Sequence, residues 1–263
     1  MPPPAADAPC PEQAFNATAL KWHTCAWLLL PVLVFLAGWM HWYAALPLTL
    51  LTAAGLAPRK RKEPQTRDSL PAFPLFTRSS FLALAAFAAL TALSGWGEWV
   101  NQHPDHIVRN ACLRELVASP WPVIFPDGNV LIYNTGFWLV PALAGKLAGL
   151  DAARVLVVLW GAWGLFLSWL WLCVFSGRRS LLLALLMAAF GSLLNLQCWL
   201  GLNLFRLHYF GTAEQIMCSA NASIPVLLFF IFLASGRMPL YWMPILFAAT
   251  AFYSPLAALG GLP

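Results

Sequence analysis

An all-α, polytopic transmembrane helical bundle is the fold class this sequence predicts, and three observations predict it. Hydrophobic residues fill 60% of the 263 positions and charged residues only 10%, whereas soluble domains carry about a quarter charged residues. The apolar residues gather in long runs, on the scale of the about 20 residues that cross a bilayer as a helix, and the mean hydropathy is +0.71. Arginine and lysine punctuate these runs at short polar breaks, as they do in the cytoplasmic loops of membrane proteins. A soluble core of this size has no room for so much apolar surface, so lipid is expected to be the solvent for most of the chain.

Residues 1–22 are rich in proline and alanine and are expected to be a disordered tail, followed by a transmembrane domain over 23–263. The apolar run from Cys25 has the look of a signal-peptide core. It resumes with little polar break up to Ala57, however, and so reads as an anchoring hairpin. Residues 24–57 are long for one crossing and short for two. The aromatic stretch GWMHWY, Gly38 to Tyr43, suits an interfacial turn and divides the run into spans over 24–39 and 43–57. Arg59, Lys60, Arg61, Lys62 and Arg67 follow and place residues 58–78 on the cytoplasmic side of the cell membrane. Beside a span such a run marks topology, and no nucleic-acid partner is expected.

The next span, 79–96, leaves on the far side, and further spans are read at 153–175, 180–199, 223–235 and 239–255. Residues 131–150 are long enough to cross but carry Asn134, Pro141 and Lys146. If they cross, Arg178, Arg179 and Arg237 all fall outside. If they lie in the outer interface as an amphipathic helix, all three arginines become cytoplasmic, as the positive-inside bias requires. The second arrangement is adopted, with Lys146 snorkelling to the headgroups. It leaves one external loop over 97–152 and a second over 200–222, the latter carrying Arg206, His208 and Glu214. The six cysteines form no CxxC pair and indicate neither a disulfide framework nor a zinc site. No phosphate loop, dinucleotide fingerprint or nucleotide-sugar motif is present.

The segment GWGEWVNQHPDHIVRNACLRELVASPWPVIFPDG, 95–128, concentrates four of the ten acidic residues, two histidines and two arginines between apolar runs. Pro104 suits the first turn of a helix, and Pro120 and Pro122 forbid its continuation, so the sequence predicts a helix over 104–118 with Trp121 as an interfacial anchor. Asp105 and Arg109 then lie four residues apart on one side, beside His106 and Asn110. Three readings stand for His103, Asp105 and His106. They are the polar side chains of a solvated loop; they are metal ligands, although neighbours 105 and 106 diverge on a helix; or Asp105 is a general base on a substrate hydroxyl, with Arg109 holding a phosphate.

The stretches GWGEWVNQHPDHIVRNACLRELVASPWPV and VLIYNTGFWLVPALAGKLAGLDAARVLVVLWGAWGL resemble a group of uncharacterised bacterial multi-pass membrane proteins. Their pattern is close to G-x-G…Q-x-x-D-W-x-K-H-N-A-x-L-x-D-L…W-P-V, then Y…P-A-L-x-G-K-x-x-G and W-x-x-x-G-L. The group is itself similar to the GT-C class of polytopic glycosyltransferases. Gly95, Gly97, Gln102, Asp105, Asn110, Leu113, Leu116, Trp121, Pro122, Pro141, Gly145 and Lys146 fall on the pattern. His106 replaces its usual tryptophan, and Val108-Arg109 replaces its Lys-His pair.

The resemblance implies a GT-C-like bundle with two membrane-parallel helices in the first external loop. It also implies transfer of a sugar from a polyprenyl-phosphate carrier to an acceptor on the non-cytoplasmic face, with membrane lipids as surroundings. Asp105 takes the place of the base, and Glu98, between Trp96 and Trp99, is its nearest rival. Arg109, Asn110, His106, Arg154, Arg206 and His208 are the residues expected at the substrate, where a cation stabilises charge on the departing phosphate. Headgroup anchoring is the alternative for Arg154. The sugar and acceptor stay open, as does a cofactor requirement, a divalent metal included. Members of the group run on for several more spans, so a chain ending in SPLAALGGLP is expected to be the N-terminal part of a longer bundle. The rival readings are a transporter and a catalytically inactive scaffold. A transporter would place ionisable groups within its spans, where Asn195 and Gln197 are the most polar residues here.

Overall fold

The computed structural model describes residues 17–58, 77–100, 102–190 and 212–260, apart from the side chains of Ala17 and Glu214. The basic run from Arg59 to Arg67, together with Cys10, Asn195, Gln197, Cys198, Arg206 and His208, lies outside the described residues. Among those described, the chain is all-helical. The helices are α1 (Ala17–Trp39), α2 (Trp42–Leu56), α3 (Arg78–Leu93), α4 (Pro104–Ala118), α5 (Gly136–Ala148) and α6 (Leu150–Ser176). They continue with α7 (Leu181–Ala189), α8 (Thr212–Ala234), a 3-10 turn (Leu240–Trp242), α9 (Met243–Tyr253) and α10 (Pro255–Gly260). By length and composition, three stretches are fit to cross a membrane: Thr18–Trp39, Leu150–Ser176 and Gln215–Ala234, the last of them broken at Ser219.

Local chemistry sets the ends. The chain breaks at Met40–His41, within the aromatic stretch that divides α1 from α2. Thr77 caps α3 by accepting from the Ser80 amide, and Ser180 caps α7 by accepting from the Leu182 amide at 3.1 Å. Gly177, at φ 66°, ends α6 in the left-handed conformation that suits glycine. Ser254 is extended because the residue before a proline, here Pro255, is driven out of the helical region.

Helix α6 is the axis of the bundle, packed on α3, α5 and α8. Three contacts show that α3 runs antiparallel to it: Gly97 meets Val158, Thr91 meets Gly161, and Ser80 bonds Arg179. The second part of α8 runs parallel to α6, with Ile224 against Gly164 and Phe232 stacked on Trp171 at 4.4 Å. A Cβ on Gly164 would stand 2.6 Å from Ile224 and 2.7 Å from Trp27, so glycine is what allows α1 and α8 to approach α6 here.

The core is unusually aromatic. Trp27 lies between Trp160 at 5.1 Å and Tyr253 at 5.3 Å, both stacked, which ties α1, α6 and α9 together. Buried ring donors need acceptors in an apolar interior, and most find them. Trp27 donates to the Trp160 carbonyl at 3.1 Å, Tyr253 to the Trp27 carbonyl at 2.7 Å, and Trp171 to Thr24 at 2.8 Å.

The structure corrects several expectations. Helix α1 begins at Ala17, inside the expected tail, because Leu20 is buried and Trp22 packs on Trp242 at 5.2 Å. Helix α5 buries Phe137, Trp138, Leu139 and Ala142 against α1, α4 and α6 and leaves Leu143 and Leu147 exposed. Its exposed Lys146 ammonium donates to the Ser119 carbonyl and lies over the Trp121 ring at 5.0 Å. Residues 212–222, expected in a second loop, belong to α8. Trp121 is half-buried, its ring tilted against Trp39 at 4.9 Å and its indole N–H donating to the Leu116 carbonyl at 2.8 Å.

Candidate functional site

The corner between α3 and α4 is built by backbone that few residues tolerate. Gly95 at φ 96° and Gly97 at φ 101° take conformations that suit glycine, and Glu98 follows at φ 67°, a strained value for a side chain with a Cβ. Gln102 locks the turn by donating to the Gly95 carbonyl at 2.9 Å and the Val100 carbonyl at 3.0 Å. Its carbonyl accepts from Asn110 at 2.8 Å. Asn110, expected at the substrate, therefore fastens the corner to α4.

What holds α4 in place is a break in α8. Ser219 has φ −155° and ψ 49°, outside the helical region. Residues eight apart in a straight helix are about 12 Å apart along the axis, yet the Ser223 hydroxyl donates to the Gln215 carbonyl at 3.4 Å, so α8 doubles back at Ser219. A helix ending there leaves its last four carbonyls without intrahelical partners. Three of them are satisfied by side chains of the corner: Trp96 donates to Ile216 at 2.8 Å, His106 Nε2 donates to Met217 at 3.0 Å, and Arg109 donates to Cys218. The single Ser223 hydroxyl proton is shared between the Ser219 carbonyl at 3.1 Å and the Gln215 carbonyl at 3.4 Å. Histidine and arginine suit this end because a helix C-terminus carries partial negative charge.

This arrangement corrects the substrate roles expected of His106 and Arg109. His106 is fully buried, edge-on to Trp96 at 5.1 Å, and its Nδ1 has no hydrogen-bond partner among the described residues. Arg109 is buried with its guanidinium 5.6 Å from the centre of the Trp96 ring. Burial, together with Arg109 and His103 nearby, outweighs the Met217 carbonyl and Asp105 and holds the His106 imidazole below its ordinary range. The folded state thus resists a proton that the unfolded chain accepts, so stability is full above the unfolded value of about 6.5 and falls as the pH drops below it. The thermal midpoint of the wild type should fall between pH 7 and pH 5.5 more steeply than that of His106→Gln, whose amide keeps a donor for Met217. Parallel curves would contradict the buried neutral ring.

Glu98 is closed off. Its buried carboxylate receives Arg114 at 3.2 and 2.6 Å, and Arg154 on the same oxygen, Oε2. Arg154 also pairs with Asp151 at 2.8 Å. Burial alone would raise the Glu98 carboxyl, but the two arginines outweigh it and hold it below the usual carboxylate range. An acid so firmly ionised, with both oxygens occupied, is a poor proton acceptor, which counts against the base role expected of Glu98. Arg154 is committed to Glu98 and Asp151 rather than to headgroups.

Asp105 is the open carboxylate of the corner. It stands in the first turn of α4, where the helix dipole favours an anion, and its side chain is 55% exposed against 8% for Glu98. Arg109 lies 3.8 Å away, across one helical turn. The His103 ring, 3.6 Å from the carboxylate, uses the same Nδ1 to accept the Asp105 amide proton at 3.3 Å, so that contact is a helix cap rather than an ion pair. Among the described residues no group of three or more His, Cys, Asp or Glu side chains converges to hold a metal ion. His103 and Asp105 stand together at the exposed start of α4, while His106 is turned inward to the Met217 carbonyl.

Sequence reasoning passed over Trp96, Arg114, Ser219 and Ser223. The small polar run SANAS, Ser219 to Ser223, is the one local hint of the break. Comparison of the chain with protein-family models, with curated proteins and with solved structures gives no match. Fold and site together define an all-helical protein, with helices fit to cross a membrane and a polar corner at one end of its bundle.

Proposed function

We propose that the chain is a multi-pass membrane protein acting as a GT-C-like glycosyltransferase, with Asp105 as general base on the non-cytoplasmic face. The observation that carries the reading is the contrast between two acids of one corner: Glu98 is sealed by two arginines, while Asp105 is open and steadied by Arg109. In the reaction the acceptor oxygen bonds to the anomeric carbon of a polyprenyl-phosphate sugar. Asp105 takes the acceptor's proton, and the bond from the anomeric carbon to the phosphate oxygen breaks. The leaving group is the polyprenyl phosphate. Arg109 is here a positioning residue for Asp105, and Arg206 keeps the phosphate-binding role that the sequence suggests for it.

A second reading, a catalytically inactive membrane scaffold, is favoured by the commitment of Trp96, His106 and Arg109 to the carbonyls of α8. The two separate in vesicles containing the purified protein and radiolabelled polyprenyl-phosphate sugar, with an envelope extract as source of acceptor. Glycosyl transfer requires release of polyprenyl phosphate above protein-free vesicles. Absence of release supports the scaffold.

A further inference from the structure

At the far end of α4 from Asp105 the surface carries an apolar groove with a cation at its rim. The groove, of about 390 Å³, runs between α1 and α5 and is lined by Leu33, Val34, Ala37, Gly38, Trp121 and Leu143. That volume lies within the range of small-molecule sites, about 300–1,000 Å³. Gly38 is what allows Trp121 to close one end, since a Cβ there would stand 2.6 Å from the indole. The exposed Lys146 ammonium lies over that indole, 5.0 Å from the ring centre, with the Trp39 ring tilted alongside at 4.9 Å. Lys146 donates one proton to the Ser119 carbonyl and pairs with no carboxylate among the described residues, so its remaining donors are open to an anion.

We propose that this groove binds one acyl chain of an anionic phospholipid, with the lipid's phosphate on Lys146. A groove of hydrocarbon walls fits a chain, and a cation beside two tryptophans fits a headgroup. The occupant is a bilayer phospholipid rather than the sugar carrier because of distance. Lys146 touches Ser119, at the C-terminal cap of α4, while Asp105 is in its first turn. Fourteen residues of helix separate them, about 21 Å along the axis, so a phosphate held here is remote from the reacting carboxylate. The proposal rests on the membrane reading of the chain; only the exclusion of the sugar carrier rests on Asp105 as the base.

The test is native mass spectrometry of the full chain released from nanodiscs of equal parts phosphatidylglycerol and phosphatidylcholine, doped with polyprenyl phosphate. The wild type should retain one phosphatidylglycerol in preference to phosphatidylcholine. Lys146→Gln should lower that preference about fivefold, the effect of one lysine near a headgroup, Lys146→Arg should restore it, and Leu143→Trp, which fills the groove, should abolish retention. Asp105→Asn should leave retention unchanged, so failure here is distinct from failure of the enzymatic reading. Equal retention of both phospholipids, retention indifferent to Lys146, or preferential retention of polyprenyl phosphate would each overturn the proposal.

Discussion

Asp105→Asn is expected to lower sugar transfer by about 10²–10⁴-fold, the contribution of a general base, while leaving the protein folded. The asparagine keeps the shape of the side chain and loses only its capacity to take the acceptor's proton. Little stability is at stake. The carboxylate is more than half exposed and its one cation, Arg109, is 3.8 Å away, a contact of a kind worth about 0.5 kcal/mol. The thermal midpoint should therefore move by no more than about 2 °C. Glu98→Gln should show the reverse, because it strips Arg114 and Arg154 of a shared buried anion and so loosens the corner. Measuring turnover and thermal midpoint on both variants separates chemistry from architecture. Full turnover in Asp105→Asn would remove this residue as the base.

Arg109→Leu should have the largest effect on stability. Its guanidinium serves the Cys218 carbonyl at the broken end of α8 and lies over Trp96. Leucine fills similar space but removes the guanidinium donor from the half-buried Cys218 carbonyl, a loss worth about 1–3 kcal/mol. In a protein of this size that corresponds to a fall of about 5 °C in thermal midpoint. Hydrogen exchange should quicken at the amides of residues 215–222, where α8 doubles back. Arg109→Lys retains a cationic donor and should recover part of the loss. If Arg109→Leu melts like the wild type with unchanged exchange, side-chain capping of α8 is not what holds the corner.

These two residues also show what was legible before the structure. Helix α4 matches the expected bounds, 104–118, because its signals are local: a proline that suits its first turn and prolines that forbid its extension. The division of α1 from α2 at an aromatic stretch is equally local. The place of Asp105 at the open start of α4 follows from the same signals. The roles of His106 and Arg109 do not. Their partners are the backbone carbonyls of Met217 and Cys218, more than a hundred positions away, and carbonyls carry no sequence identity. A polar residue beside an acid reads as part of a site, and only the broken helix opposite reveals it as a cap. The same limit applies to Lys146, whose partners, the Ser119 carbonyl and the Trp121 ring, cannot be read from its own neighbourhood in the sequence. Glu98 looked available because its two arginines lie 16 and 56 positions further along.

Sidedness decides whether Asp105 meets a lipid-borne sugar on the non-cytoplasmic face at all. The turn after α4 offers the probe: Asn129 is exposed, and its neighbour Gly128, at φ 83°, is better left as glycine. Asn129→Cys, in a chain whose own six cysteines are replaced, can be treated in intact cells with a membrane-impermeant maleimide. The expected result is labelling from outside the cytoplasmic membrane without disruption. Labelling that requires access from the cytoplasm would put Asp105 on the wrong face and contradict glycosyl transfer there.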